Sequence, residues 1–235
     1  MAKLVVVTGG SKGIGRAILE KFAAEGFDVC TCSRSKEDLE KLTRDITAKH
    51  NVKAHYFVAD MSDKAQVKAF TGFVTSLKRP VDVLVNNAGY FLPGQVIDET
   101  EGTLESMIGS NVYSAYYTTR GIVPAMRQAK SGHVFNMCSI ASIEAYPNGG
   151  SYTVSKFALL GFSKVLREEL KEHGVRVTAV LPGATLTASW AGTSLPDDRF
   201  MSSEDVAEAV WGAYRLSKRS VVEEIIIRPQ LGDLL

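Results

Sequence analysis

Cysteine, histidine and unbalanced charge are all scarce in this sequence, and each shortage weakens a class of function. Only three cysteines, Cys30, Cys32 and Cys138, occur in 235 residues. They are odd in number, lie in apolar strand-like stretches, and show neither C-x-x-C spacing nor a neighbouring histidine, so reduced core thiols are favoured over a disulfide framework or a zinc site. The four histidines, His50, His55, His133 and His173, fall in separate segments and form no recognisable metal or catalytic pair, so no metal is expected. Basic and acidic residues number 27 and 26, a net charge of +1, which leaves no basic field to draw in nucleic acid or anionic lipid. Apolar runs are only a few residues long, and the N-terminal MAKLVVVTGG enters a strand and a glycine turn instead of reading as a signal peptide. These features predict a cytoplasmic protein with no membrane or nucleic-acid partner.

Linkers, low-complexity tracts and repeats are also missing, so residues 1–235 are read as one domain. Short β-branched runs alternate instead with segments of helical period. Seven strands are expected near residues 4, 28, 53, 81, 133, 175 and 221, separated by helices over 14–25, 36–49, 63–78, 103–129, 152–173 and 203–216. That alternation predicts an α/β protein with a doubly wound, seven-stranded parallel sheet. The irregular stretch 184–201, ATLTASWAGTSLPDDRFM, has the length and composition of a functional lid. Ligands of such sheets bind at the carboxyl ends of the strands.

Two short stretches carry chemistry. TGGSKGIG, residues 8–15, follows the first strand and opens the first helix. Glycines there permit a tight turn and close approach of a phosphate to the backbone, although a purely structural turn would look alike. In GGSYTVSKFALLGFSK, residues 149–164, Tyr152 and Lys156 are one helical turn apart and share a face. Read alone, this pair is more readily a packed tyrosine beside a solvated lysine than a reactive pair.

Taken together, TGGSKGIG with Gly9, Gly13 and Gly15, Asp60 ending VAD, NNAG at 86–89, Asn111 in NVYSAYY, Ser139 in CSIAS, YTVSK at 152–156 and LPG at 181–183 make the chain resemble the short-chain dehydrogenase/reductase family in its compact form. The resemblance spans nearly the whole sequence and implies a Rossmann fold. It also implies a catalytic set of Ser139, Tyr152 and Lys156, with Asn111 holding a water near the lysine; Ser142, Ser151 and Ser155 are competing hydroxyls. The implied dinucleotide contacts are Gly9, Ser11, Lys12, Gly13, Ile14 and Gly15 in the first turn, Ser33 and Arg34 after strand two, and Asp60 and Met61 at the adenine. Asn87, Ala88 and Gly89 would form a wall, Pro182, Gly183, Thr185 and Thr187 would lie beside the nicotinamide, and Tyr152 and Lys156 would complete the set.

Where a carboxylate would select NAD, this chain has Ser33 and Arg34, with Lys12 close in the turn, so NADP(H) is the expected cofactor. A free phenol titrates near pH 10, and Lys156 with an oxidised nicotinamide is expected to lower Tyr152 toward working pH. Trp190, Phe91 and Tyr146 are candidates for the substrate pocket. The tail from 200 onward resembles that of bacterial sepiapterin-reductase-like carbonyl reductases. Reduction of a small carbonyl, or the reverse, is therefore expected; a 3-oxoacyl-carrier-protein reductase and a non-catalytic NADPH sensor are the alternatives. The helices at 103–129 and 152–173 resemble the family's packing pair, implying a homodimer or homotetramer.

Overall fold

The first strand, LVVVT, offers apolar side chains on both of its faces, which suits a strand covered by helices above and below. In the computed structural model it is fully buried, and it lies inside the sheet, with strands paired on both sides. The structure describes residues 2–187, 190 and 192–234. Seven parallel strands run in the order β3-β2-β1-β4-β5-β6-β7: β1 Leu4–Thr8, β2 Asp28–Ser33, β3 Ala54–Val58, β4 Val83–Asn86, β5 Gly132–Met137, β6 Val175–Pro182 and β7 Glu224–Ile227. The helices are α1 Gly13–Ala24, α2 Lys36–His50, α3 Lys64–Ser76, α4 Thr103–Ile108, α5 Ser114–Ala129, α6 Gly150–Leu170 and α7 Ser203–Arg215.

Strand alternation sorts the core into two layers. Val5, Val7, Val85 and Phe135 face Ile18 and Phe22 of α1, Ile46 of α2 and Val210 of α7. Leu4, Val6, Leu84 and Val134 face Phe70 of α3, Ile122 and Val123 of α5, and Leu166 of α6. Strand order reverses between β1 and β4, so the loops leaving these two strands diverge and open a crevice at their carboxyl ends. Cys30, Cys32 and Cys138 are free and buried. Among the described residues no helix is long and apolar enough to cross a membrane.

The expected element order holds, with two differences in detail. The helix expected over 103–129 is interrupted by a π turn, Gly109–Tyr113, between α4 and α5. The helix expected from 152 starts earlier, at Gly150, because its first turn is anchored from outside by a side chain described below.

His133 of β5 shows what the interior excludes. Thr178 donates its hydroxyl proton to Val222 O (2.6 Å), so its oxygen must accept from His133 Nε2 (2.8 Å). The ring stacks on Phe135, and Nδ1 has no partner. Burial holds the imidazole down at about 2, far below its unfolded value of about 6.5. Stability from this neutral histidine is therefore present above pH 6.5 and is lost as pH falls, because the unfolded chain takes up a proton that the folded one refuses. Urea unfolding of His133→Gln should lose about 2 kcal/mol less than the parent between pH 7 and 5. Equal losses would show that this group does not couple folding to pH.

Candidate active site

At the glycine turn the backbone itself supplies the chemistry. Gly9 and Gly13 have φ of 68° and 54°, in the left-handed region that side chains disfavour. A Cβ on Gly15 would lie 2.5 Å from Asn87 Nδ2 and 2.6 Å from Gly9 O, so the turn folds tightly against the end of β4. Helices α2, α3 and α7 begin with side-chain caps from Ser35, Asp63 and Ser202. Helix α1 has neither a side-chain cap nor an acidic residue in its first turn. Its N–H groups are thus left for an anion, which the helix dipole also favours.

The loop after β4 is pinned to this turn. Thr8 Oγ1 accepts the amides of Asn87 and Ala88 (3.0 Å each), while Asn87 Nδ2 donates to Thr8 O (2.9 Å) and Gly9 O (3.1 Å). These bonds cross the switch point and hold both walls of a cleft of about 1270 Å³. Every dinucleotide contact expected from the sequence, from Gly9 to Thr187, lines that cleft.

At one end Arg34 is exposed and makes no hydrogen bond or ion pair among the described residues. Asp60 accepts the Ser62 amide and hydroxyl (2.9 and 2.7 Å); these bonds, helped by the Arg34 charge, hold its carboxyl below the usual range. Lys12 pairs with Asp38 at 3.0 Å on the surface. Asp38 also lines the cleft and was not among the sequence candidates. Its signal was the S-x-x-D capping pattern at Ser35, whose hydroxyl accepts the Asp38 amide at 3.2 Å.

The other end is built from β5, its following turn and α6. Ser139 caps a 3-10 turn, Ile140–Ser142, accepting the Ala141 amide at 3.1 Å while its own amide donates to Ser142 Oγ at 3.2 Å. Tyr152 is the third residue of α6, and Lys156 follows one turn later. Lys156 is 7% exposed; its Nζ donates to Met137 O at 2.8 Å and lies 5.6 Å from the Tyr152 ring centroid. Burial lowers the ammonium to about 8.

Of the two charges expected to lower Tyr152, the lysine by itself does not do so. Although its ring keeps some exposure to the cleft, loss of water pushes the phenol above its ordinary value, against a hydrogen bond from Ser139 that pulls it down. Desolvation of the phenolate is the largest influence, and the Lys156 proton is directed at a strand carbonyl instead of the phenol. Such a phenol is held in its acid form, as a proton donor requires.

The competing hydroxyls are engaged elsewhere. Ser142 serves the Ser139 cap, Ser151 bonds Glu99, and Ser155 donates to Tyr152 O at 2.7 Å. Asn111 stands behind the cleft in the π turn, 1% exposed. Its amide accepts Tyr90 N–H (2.9 Å) and donates to Tyr90 O (3.1 Å) and Ser155 Oγ (2.9 Å). The structure thus brings Asn111 to the residue before Lys156 and not to the lysine itself.

Phe91 meets the Tyr152 ring edge-on at 4.9 Å, and Tyr146 and Trp190 line the same end. Of the expected lid, Ala188, Ser189 and Ala191 lie outside the described residues. The sequence reading missed Glu144 and Asp233, which also face the cleft. Arg228 pairs with both and so ties the C-terminal segment to the turn after β5.

Comparison with known proteins fits this geometry. Residues 3–197 match the family described as short chain dehydrogenase. A sepiapterin reductase of Chlorobaculum tepidum is 34% identical over 245 residues, covering 100% of this chain and 99% of the relative. An uncharacterized oxidoreductase of Staphylococcus aureus is 31% identical over 227 residues, 97% of each chain. Among solved structures, an alcohol dehydrogenase from the archaeon Thermococcus sibiricus complexed with 5-hydroxy-NADP superposes with a TM-score of 0.93 at 26% identity, covering 100% of both chains. L-sorbose reductase from Gluconobacter frateurii, complexed with NADPH and L-sorbose, gives 0.91 at 27% identity, covering 100% of this chain and 98% of that one.

Proposed function

Because the chain belongs to the short-chain dehydrogenase family and is an NADP(H)-dependent oxidoreductase acting between a carbonyl and its alcohol, we propose that it reduces a small carbonyl compound, with Tyr152 as proton donor. The observation that carries this reading is the placement of Tyr152 beside Ser139 and a buried Lys156 at one end of the cleft.

The uncapped first turn of α1 and the glycine cradle suit a pyrophosphate. Arg34, unpaired among the described residues, and Lys12 would take the 2′-phosphate. Asp60 and Met61 would border the adenine, and Asn87, Ala88 and Gly89 would form the wall between the two ends. Pro182, Gly183, Thr185 and Thr187 would lie beside the nicotinamide, and Lys156 would reach its ribose. When bound, NADPH supplies the hydride that becomes the new C–H bond of the alcohol.

Around that chemistry, Ser139 donates a hydrogen bond to the substrate oxygen and orients it, and Tyr152 gives the same oxygen its proton. Lys156, still largely cationic at neutral pH with a pKa of about 8, offsets the negative charge left on the phenolate. The aromatic side chains Phe91, Tyr146 and Trp190 favour a compact, flat carbonyl compound, and the full-length similarity to a sepiapterin reductase points the same way. Tyr116 of α5, with Val154, Phe157 and Val165 of α6, stays exposed and would bury apolar surface between copies of the chain.

The test is loss of NADPH absorbance against sepiapterin, diketones, aldehydes, quinones and a 3-oxoacyl thioester. Tyr152→Phe should lower kcat by about 10²–10⁴-fold while NADPH binding stays within about twofold; substantial turnover in that variant would remove Tyr152 from the mechanism. Arg34→Ala should weaken NADPH by roughly tenfold or more and leave NADH nearly unchanged, since a charge-assisted phosphate contact is worth about 1.5–3 kcal/mol. Equal effects on both would refute the phosphate assignment.

A further inference from the structure

Helix α6 starts without a cap of its own: Gly149 contributes no side chain, and the first turn carries no acidic residue. Tyr152 sits in that first turn, so whatever fixes the turn also fixes the phenol. The anchor comes from Glu99, 52 residues upstream in the loop between β4 and α4. Its Oε1 accepts the Ser151 amide at 2.9 Å, and its Oε2 accepts the Ser151 hydroxyl. An acidic side chain at this position satisfies an orphan amide and complements the helix dipole.

The backbone around the contact is shaped to receive it. Gly94 N–H donates to Asn148 O at 3.0 Å, and Gly94 bridges to Gly149. A Cβ on Gly94 would stand 2.7 Å from Glu99 Cγ, and one on Gly150 would strike Glu99 Oε1 and lie 2.5 Å from Gly94 O. Gly94 and Gly150 thus form a socket for Glu99. The same loop supplies Phe91, whose ring packs edge-on against Tyr152. Lys156 is held separately, by the carbonyl of Met137. Tyr152 therefore depends on the Glu99 contact in a way that Lys156 does not.

We propose that Glu99 is a positioning residue for Tyr152, acting through Ser151 and the first turn of α6; this rests on the reading of Tyr152 as proton donor. Without it, the turn carrying the phenol loses its external anchor, while the glycine turn and Arg34 at the other end are untouched.

The experiment compares Glu99→Ala, Glu99→Asp, Glu99→Gln and Tyr152→Phe. It reads kcat, the dissociation constant for NADPH, and amide hydrogen exchange over residues 149–156 in protein without ligand. Glu99→Ala should lower kcat by about 10–100-fold, the scale of a catalytic group displaced by about 1 Å, with NADPH affinity within about twofold and exchange over 149–156 at least roughly tenfold faster. Glu99→Asp, one methylene too short, should lower kcat several-fold, and it carries the test if the alanine variant does not fold. Glu99→Gln keeps an acceptor for the Ser151 amide and should restore kcat to within about threefold of the parent. Full kcat in Glu99→Ala or Glu99→Asp beside an inactive Tyr152→Phe would overturn the proposal alone. Parallel loss of kcat and NADPH affinity in the Glu99 variants would also overturn it, since that is general damage. An active Tyr152→Phe would instead remove the reading beneath it, and the proposal with it.

Discussion

The hydrogen bond from Lys156 Nζ to the carbonyl of Met137 ties the chemistry to the sheet. It takes a cation out of water and sets it against the end of a central strand, where the charged form is costly. Two consequences follow from that single placement. The lysine titrates near 8, within reach of neutral pH, and its proton points at the backbone and not at the phenol. Tyr152 is consequently left to its own desolvation and stays protonated. Before any cofactor adds charge, the phenol keeps its proton, which is what the proposed carbonyl reduction demands.

The scaffold makes such a placement possible because both faces of the sheet are covered. Helices α1, α2 and α7 close one side and α3, α5 and α6 the other, and the crevice opens at the carboxyl ends of the strands. At that crevice the reversal of strand order separates the loops of β1 and β4, and the bonds of Thr8 and Asn87 keep their spacing fixed. The long cleft thereby has the uncapped start of α1 at one end and Tyr152 and Lys156 of α6 at the other. Each end is supported by a different set of contacts.

Much of this was legible in the sequence. Strands such as LVVVT are short, β-branched and apolar on both faces, so the parallel sheet announced itself. The glycine turn and the Tyr152–Lys156 spacing are local patterns, and the structure gathers both in one cleft. What escaped notice depends on distance or on solvent. The Glu99–Ser151 contact spans 52 residues and Arg228–Glu144 spans 84, and neither leaves a local periodicity. The π turn at Gly109–Tyr113 inserts one residue's worth of rotation into a helix whose composition does not mark it, and it carries Asn111 behind the cleft. The direction of the Tyr152 shift followed from burial, which spacing alone does not encode.

The most direct test of this account is the titration of Lys156 itself. Protein labelled with ¹³C at lysine Cε, with Lys156→Met to assign the resonance, can be followed by NMR from pH 6 to 11 without cofactor. A Lys156 midpoint near 8, well below the ordinary lysine value of about 10.4, is the expected result. A midpoint for Lys156 near 10.4 would mean that its ammonium is not desolvated at the sheet, and the account of a burial-tuned proton donor would fail.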